Sequence, residues 1–248
     1  MEQKIKKIKE YIDKNYGETQ YISLVGSRMW NWNEPNSDYD YFVIYKSPLS
    51  ELVGMSRHDR SDQVVIDEND IAIHEIGKVT NMLYKNNINF VVGLFGDTQY
   101  DIHFDKERDR WNVDELRALT ENALSKTFYM PINGLCYSNY KKYFINGTHE
   151  KIKKKFHHIM RYLTFGMAFF KDNVLSFDFE KNINALIDVC IEREFILKPK
   201  DDIPEMKRII EKYMRILEML VHESEIQENS EKYRDEFNKL LLEWRGVE

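Results

Sequence analysis

A chain of 248 residues is long enough for one large domain or two closely packed ones with a real hydrophobic core. With 42% hydrophobic and 13% aromatic residues it falls outside the disordered class, and its net charge of −6 excludes a surface that attracts nucleic acid as a whole, leaving only a local basic patch for such contacts. Cys136 and Cys190 sit in apolar surroundings without paired spacing, which argues against a disulfide framework or a zinc site.

The amino terminus places Ile5, Ile8, Ile12 and Tyr16 at helical spacing, and Gly17 ends that helix. This polar, periodic start is unlike a signal peptide, and no apolar run approaches membrane-spanning length; the chain reads as cytoplasmic, with no membrane partner. Tyr21 to Val25 reads as a buried strand ending in Gly26-Ser27, and Tyr39 to Tyr45 as a second, rich in β-branched and aromatic residues. A polar loop from Lys46 to Ser61 carries Arg57, His58 and Arg60. Strand candidates follow at Val64 to Ile66 and Asp70 to Ile76. A helix through Lys78 and Tyr84 breaks at Asn86-Asn87, and an irregular stretch surrounds Gly93 and Gly96.

From there the pattern is almost wholly helical. Asn112 and Glu115 resemble a capping box, Pro131 suits the start of a helix, and Thr148 can cap a long one running to about Phe170. Two or three further amphipathic helices reach Trp244. The economical reading is α+β: a small mixed sheet over residues 1–110, then a helical bundle over 111–248.

The chemistry concentrates in Gly26 to Asp40, GSRMWNWNEPNSDYD. On a strand, Asp38 and Asp40 share a face about 7 Å apart and repel unless a cation or donors lie between them. Hard oxygen ligands favour Mg²⁺, which keeps waters and shares its shell with substrate phosphates. Gly26-Ser27 at a strand end can present amides and a hydroxyl to phosphate, with no bulk in the way. Anion-binding amides beside a carboxylate pair are what nucleotidyl transfer needs. Taken singly, a Gly-Ser is a turn in most proteins, and an Asp-x-Asp is usually a solvated strand end.

The pattern GSR…SDYD resembles the signature of DNA polymerase β-type nucleotidyltransferases, in particular a branch that includes a group associated with RNA repair. That branch has a glycine where Asn31 stands here, and asparagine tolerates left-handed backbone better than most residues. The resemblance implies that Gly26, Ser27 and Arg28 contact the phosphates of a nucleoside triphosphate (NTP), that Asp38 and Asp40 hold Mg²⁺ (or Mn²⁺ in its place), and that Ser37 supports the loop. It also implies a third acid on a neighbouring strand, with Asp67, Glu68, Asp70, Glu75 and Asp101 as candidates.

Alternation in DIAIHEI sets Asp70 and His74 on one face, and Ile71, Ile73 and Glu75 on the other. A carboxylate among isoleucines needs a partner such as a metal or Lys78; the plainer role for Glu75 is helix entry. The related family ends a strand with an acid followed by a lysine, as HEIGK does. This favours Glu75 as the third catalytic and metal-binding carboxylate, with Lys78 beside it and Asp70 second. Its asparagine-rich turn is echoed at NNINF, while its downstream glutamate falls near Val92 and is missing.

In HEKIKKKFHHIMRYLTFGMAFF, Ile152, Phe156, Ile159 and Leu163 form a core stripe, while Lys154, His158 and Arg161 share another face. A solvated face is the ordinary reading for lysines, but an arginine enclosed among apolar neighbours needs an anion. The resembling family has a similar lysine, histidine and arginine spacing facing the nucleotide; His157 is expected to be peripheral. The resulting expectation is Mg²⁺-dependent transfer of a nucleoside monophosphate from an NTP to an acceptor hydroxyl, with pyrophosphate released. The acceptor is not legible in the residues: the family association alone points to RNA, for which the RHDR loop and KIKKK at 151–155 could supply backbone contacts, and a protein hydroxyl or a small molecule are the alternatives. Neither the base of the NTP nor the oligomeric state is legible. A degenerate nucleotide-binding fold without turnover and a metal-dependent hydrolase are the competing readings.

Overall fold

The computed structural model describes residues 2–34, 37–53, 61–101, 113–147 and 151–247. Arg57, His58, Arg60, Asn112 and Thr148, named above for a basic loop and two helix caps, lie outside these residues. In chain order the elements are α1 (Glu2–Asn15), β1 (Glu18–Val25), α2 (Gly26–Met29), β2 (Asp40–Lys46), α3 (Leu49–Val53), β3 (Ser61–Ile66), β4 (Asn69–Glu75), α4 (Ile76–Tyr84), α5 (Ile88–Leu94) and β5 (Asp97–Asp101). Helices α6 (Val113–Ala123), α7 (Tyr129–Tyr140), α8 (Ile152–Asp172), α9 (Phe179–Leu186), α10 (Cys190–Leu197), α11 (Ile203–Glu223) and α12 (Arg234–Arg245) complete the chain. The class is α+β, as expected, with a mixed sheet.

Two compact units divide the chain. One comprises Met1–Met29, Asn33–Leu124 and Asn229–Glu248; the other comprises Trp30–Trp32 and Ser125–Glu228. This differs from an expected boundary after residue 110, because α6 and the returning α12 both pack with α4 in the first unit.

The first unit is built on a five-stranded sheet in the order β3-β4-β2-β1-β5. β1 is antiparallel to β2 and β5, β3 is antiparallel to β4, and β2 runs parallel to β4. Alternation sorts the two faces. Tyr41, Val43 and Tyr45 join Ile22, Leu24, Ile71 and Ile73 in a core cluster covered by Ile5, Ile8 and Ile12 of α1. The opposite face carries Phe42, which lies so close under α5 that a Cβ at Gly93 would come within 2.4 Å of its ring.

Helix α5 occupies part of the stretch expected to be irregular. Ile88, Phe90, Val91, Val92, Gly93 and Leu94 are all buried and only Asn89 is exposed, so the segment is apolar nearly all round and shows little helical period. Asn86 at φ 53° and Asn87 as N-cap break the chain between α4 and α5, as the asparagine pair suggests.

The second unit is centred on α8. The stripe Ile152, Phe156, Ile159 and Leu163 is buried, and so is every residue from Ile159 to Phe170. Its neighbours are α7, α9, α10 and α11, so the helices following α8, with α12, number four rather than two or three. Pro131 stands in the first turn of α7, where a missing N–H costs nothing.

Candidate active site

The end of β1 and the start of β2 are adjacent in the sheet, with Val25 opposite Asp40. The residue after Val25 is Gly26, at φ +69°, in the left-handed region that favours glycine. A Cβ built there would lie 1.8 Å from Oδ2 of Asp40. The Asp40 carboxylate therefore occupies space that only glycine leaves open, directly beside the Gly26-Ser27 backbone. Gly26→Ala is expected to cost about 1 kcal/mol of stability from the positive φ. It should cut catalysis far more, about a hundredfold, because the carboxylate must move by an ångström or so. Denaturant unfolding and a turnover assay on the same preparation measure the two effects, and wild-type turnover would contradict the close packing.

Asp38 is exposed and precedes the first residue of β2, while Asp40 is half-buried and opens the strand. The parallel register sets Asp70 of β4 directly opposite Asp40 of β2. Neighbouring strands are about 4.8 Å apart and paired residues project to the same side, so these two carboxyl groups leave one end of one face together.

Glu75 is placed otherwise than expected. It pairs with Tyr45, five residues along β2 from Asp40 and so about 16 Å away by strand rise. Its side chain is fully buried. Both of its oxygens accept from Arg245, at 2.8 and 3.0 Å, and Oε2 also accepts from the N–H of Gly77 at 2.7 Å. Glu75 is thus the N-cap of α4 and half of a buried ion pair, and the partner is Arg245 rather than Lys78 or a metal. Of the other candidates, Asp101 lies opposite Tyr21 in the middle of β1, four residues from the Val25 that faces Asp40, and Asp67 and Glu68 form the β3–β4 turn just before Asp70, with Asp67 bonded to Lys7.

Ser27 and Arg28 belong to the short α2. The Arg28 guanidinium donates to the carbonyl of Ser37 at 2.7 Å and lies over the ring of Tyr39, 3.8 Å from its centre. It binds the segment that leads into Asp38, a role not visible in the motif. The Ser37 hydroxyl accepts from the N–H of Glu34 at 2.9 Å. Lys78 is half-buried on α4. Burial, with repulsion from Lys78, holds the pKa of His74 down to about 4; His74 Nδ1 is bonded to Ser61 Oγ at 2.9 Å and the ring packs on Phe42 and Phe90. His74 is a neutral core residue.

In the second unit, Lys154 is exposed, His158 is half-buried and Arg161 is buried along α8. The Arg161 guanidinium lies 6.0 Å from the centre of the Trp30 ring. Burial first, then repulsion from Arg161, Lys155 and Lys154, lowers the His158 pKa to about 4. His158 is therefore neutral near pH 7, and the face carries two cations rather than three. His157 is no peripheral residue. Its Nδ1 accepts from the indole N–H of Trp32 at 3.3 Å, and its Nε2 lies 2.8 Å from the Ile196 carbonyl, to which a neutral ring donates. Trp30 packs edge-on against Tyr162, Phe165 and Phe177, and Trp32 against Phe179. The WNW pair in an otherwise polar loop was the available signal for these anchors. Asn31 between them has φ 51°, the left-handed backbone that its position called for.

Among the described residues no three His, Cys, Asp or Glu side chains are gathered into a cage for a metal ion. The observed set instead fits Mg²⁺ of the kind that uses one or two carboxylates and completes its shell with water and phosphate. Asp40 supplies hard oxygen against the bare Cα of Gly26, where a phosphate can also approach, and Asp38 is two residues away in exposed chain.

A family model described as the RNA repair pathway DNA polymerase beta family (RlaP) matches residues 1–243. Among solved structures, the chain is similar to a spectinomycin adenyltransferase from Enterococcus faecialis, solved with ATP and spectinomycin. The identity is 14%, over 89% of this chain and 97% of that one, at a TM-score of 0.46. A nucleotidyltransferase-like protein from Exiguobacterium sibiricum 255-15 is 16% identical over 98% of this chain and 79% of that one, at a TM-score of 0.33. No curated protein matches the sequence.

Proposed function

The chain belongs to the RNA repair pathway DNA polymerase beta family, a family of nucleotidyltransferases, and on that premise we propose that it moves a nucleoside monophosphate from an NTP to an acceptor hydroxyl, RNA being the acceptor, with release of pyrophosphate. The observation that carries this reading is the Asp40 carboxylate seated against Gly26 with Asp70 in register beside it. Gly26 and Ser27 receive the phosphates through backbone amides and the hydroxyl, and Arg28 holds the Ser37–Tyr39 segment so that Asp38 stays near Asp40. Asp38 and Asp40 would hold Mg²⁺, or Mn²⁺ in its place, which when bound neutralises triphosphate charge and lowers the pKa of a coordinated hydroxyl.

Asp70, in place of Glu75, is the third carboxylate. It accepts the proton of the attacking hydroxyl as that oxygen bonds to the α-phosphorus and the bond from phosphorus to the pyrophosphate oxygen breaks. Lys78 serves as a further phosphate contact in this scheme. The test is incubation with each α-labelled NTP, Mg²⁺ and a pool of small RNAs. Labelled RNA with equimolar pyrophosphate is the expected result. Binding without pyrophosphate would indicate a degenerate fold, and free nucleotide without labelled acceptor would indicate a hydrolase.

The same reading assigns Lys154, His158 and Arg161 to the triphosphate, supported by their sharing one face of α8, on which the arginine is buried and the lysine exposed. Charge-assisted bonds to phosphate are worth about 1.5–3 kcal/mol, so Arg161→Ala is expected to weaken NTP binding roughly ten- to a hundredfold. Arg161→Lys should restore only part of that loss, since a point charge lacks the planar fork. Calorimetric titration measures it, with RNA affinity as the internal control; unchanged NTP affinity in the alanine variant would make α8 purely structural. No helix among the described residues is long and apolar enough to cross a membrane.

A further inference from the structure

Residues 141–155 contain six lysines and a single acid, Glu150, in a chain whose net charge is −6. Within this stretch Lys141–Ile145 is a π-helical turn that continues α7, and Ile152 begins α8. The fold brings these two stretches together at Tyr143, with the ammonium of Lys142 5.1 Å and that of Lys155 4.6 Å from the ring centre. Lys151 precedes Lys155 by one helical turn, and Lys154 adjoins it; both are exposed. Lys153 is paired with Asp201 at 2.9 Å, whereas Lys142, Lys151, Lys154 and Lys155 have no carboxylate partner among the described residues.

Solvated lysines on a helix are ordinary, but two ammonium groups converging on one phenol are not spread as repulsion alone would spread them. The two cations also lower the pKa of the Tyr143 hydroxyl. A phosphate placed there engages both ammonium groups, and the ring they leave is available to a base. Cations flanking an aromatic side chain are the elements of single-strand recognition, in which lysines follow the backbone and rings stack on bases.

We propose that Lys142, Tyr143 and Lys155, with Lys151 beside them, form a docking surface for single-stranded RNA on the helical unit. The proposal rests on the reading of the chain as a transferase with an RNA acceptor, and it adds where that acceptor is held. The test is fluorescence anisotropy with the full chain and a labelled single-stranded 12-nucleotide RNA over a range of salt, without NTP, so the result is independent of turnover.

For single strands each phosphate contact contributes about 0.7 to the slope of log affinity on log salt, so Lys142→Gln/Lys155→Gln should flatten the slope by about 1.4. Tyr143→Ala should weaken binding about tenfold through lost stacking, with little change in slope. Lys171→Gln/Lys181→Gln, an equal charge loss elsewhere on the same unit, should change neither. Equal losses in both lysine doubles, or an unaltered slope in the first, would overturn the proposal. So would affinity for inorganic polyphosphate or poly-glutamate that matches RNA and ignores Tyr143→Ala, since it would mark a general polyanion surface or a site for an acidic protein. Asp40→Asn should bind this RNA as the parent does while its pyrophosphate release falls about a thousandfold; a failure of the transferase reading shows as no pyrophosphate from the parent chain and leaves the docking result standing.

Discussion

Asp40→Asn is expected to lower nucleotidyl transfer by about a thousandfold, with the unfolding midpoint unchanged or raised. A bound metal supplies several kcal/mol of charge stabilisation at the reacting phosphate, and about 4 kcal/mol corresponds to that factor in rate. The amide keeps the shape of the carboxylate, so the space beside Gly26 stays filled. It also removes one of two like charges on paired positions of adjacent strands, which relieves repulsion in the resting protein. Asp38→Asn should behave similarly, and more mildly in stability because Asp38 is exposed. Pyrophosphate release and thermal unfolding on the same samples check both halves. Full activity in Asp40→Asn, with Mg²⁺ still required, would overturn the assignment of the site.

Asp70 and Glu75 lie on the same strand and should give opposite results. Asp70 is exposed, so Asp70→Asn should abolish most transfer and leave stability within about 0.5 kcal/mol of the parent. Glu75 is fully buried against Arg245, whose side chain is only 13% exposed. Glu75→Gln leaves that guanidinium without its counter-charge, a loss of about 3 kcal/mol for a buried pair. In a chain of this size that lowers the midpoint by roughly ten degrees, while activity measured well below the transition persists. The double variant Glu75→Gln/Arg245→Met should recover part of the stability, because removing both charges removes the uncompensated one. If Glu75→Gln instead abolishes transfer with stability intact, the third carboxylate is Glu75 after all.

That contrast also marks how far the sequence alone reaches. The strand-end glycine and the Asp-x-Asp were legible because both the chemistry and the spacing lie within fifteen residues. Alternation correctly separated Asp70 from Glu75 by face. What it could not supply is which face Asp40 uses, since that depends on the register between β2 and β4, set thirty residues apart in the chain. The ion pair that explains Glu75 joins residues separated by 170 positions. Lys78, three residues on, was the nearer and more obvious partner. Helix α5 was hidden for a different reason: buried at every position but Asn89, it carries little amphipathic period. Arg28 shows the limit of motif reasoning in another form, because a cation in a phosphate-binding loop can equally be spent on holding the loop.

The return of α12 to the sheet-bearing unit has a consequence for synthesis on the ribosome. The strands of that unit are complete once residue 101 has emerged, yet the guanidinium that neutralises Glu75 follows 144 residues later, at Arg245. During that interval the β4–α4 junction must stay open to water, which alone can solvate the Glu75 carboxylate. The unit can therefore close around its carboxylates only late in translation, after Ser125–Glu228 of the helical unit have already been made. A ribosome that stalls or terminates before Arg245 releases a chain with a buried, unbalanced charge at the end of a central strand, which is the kind of product that chaperones and proteases engage.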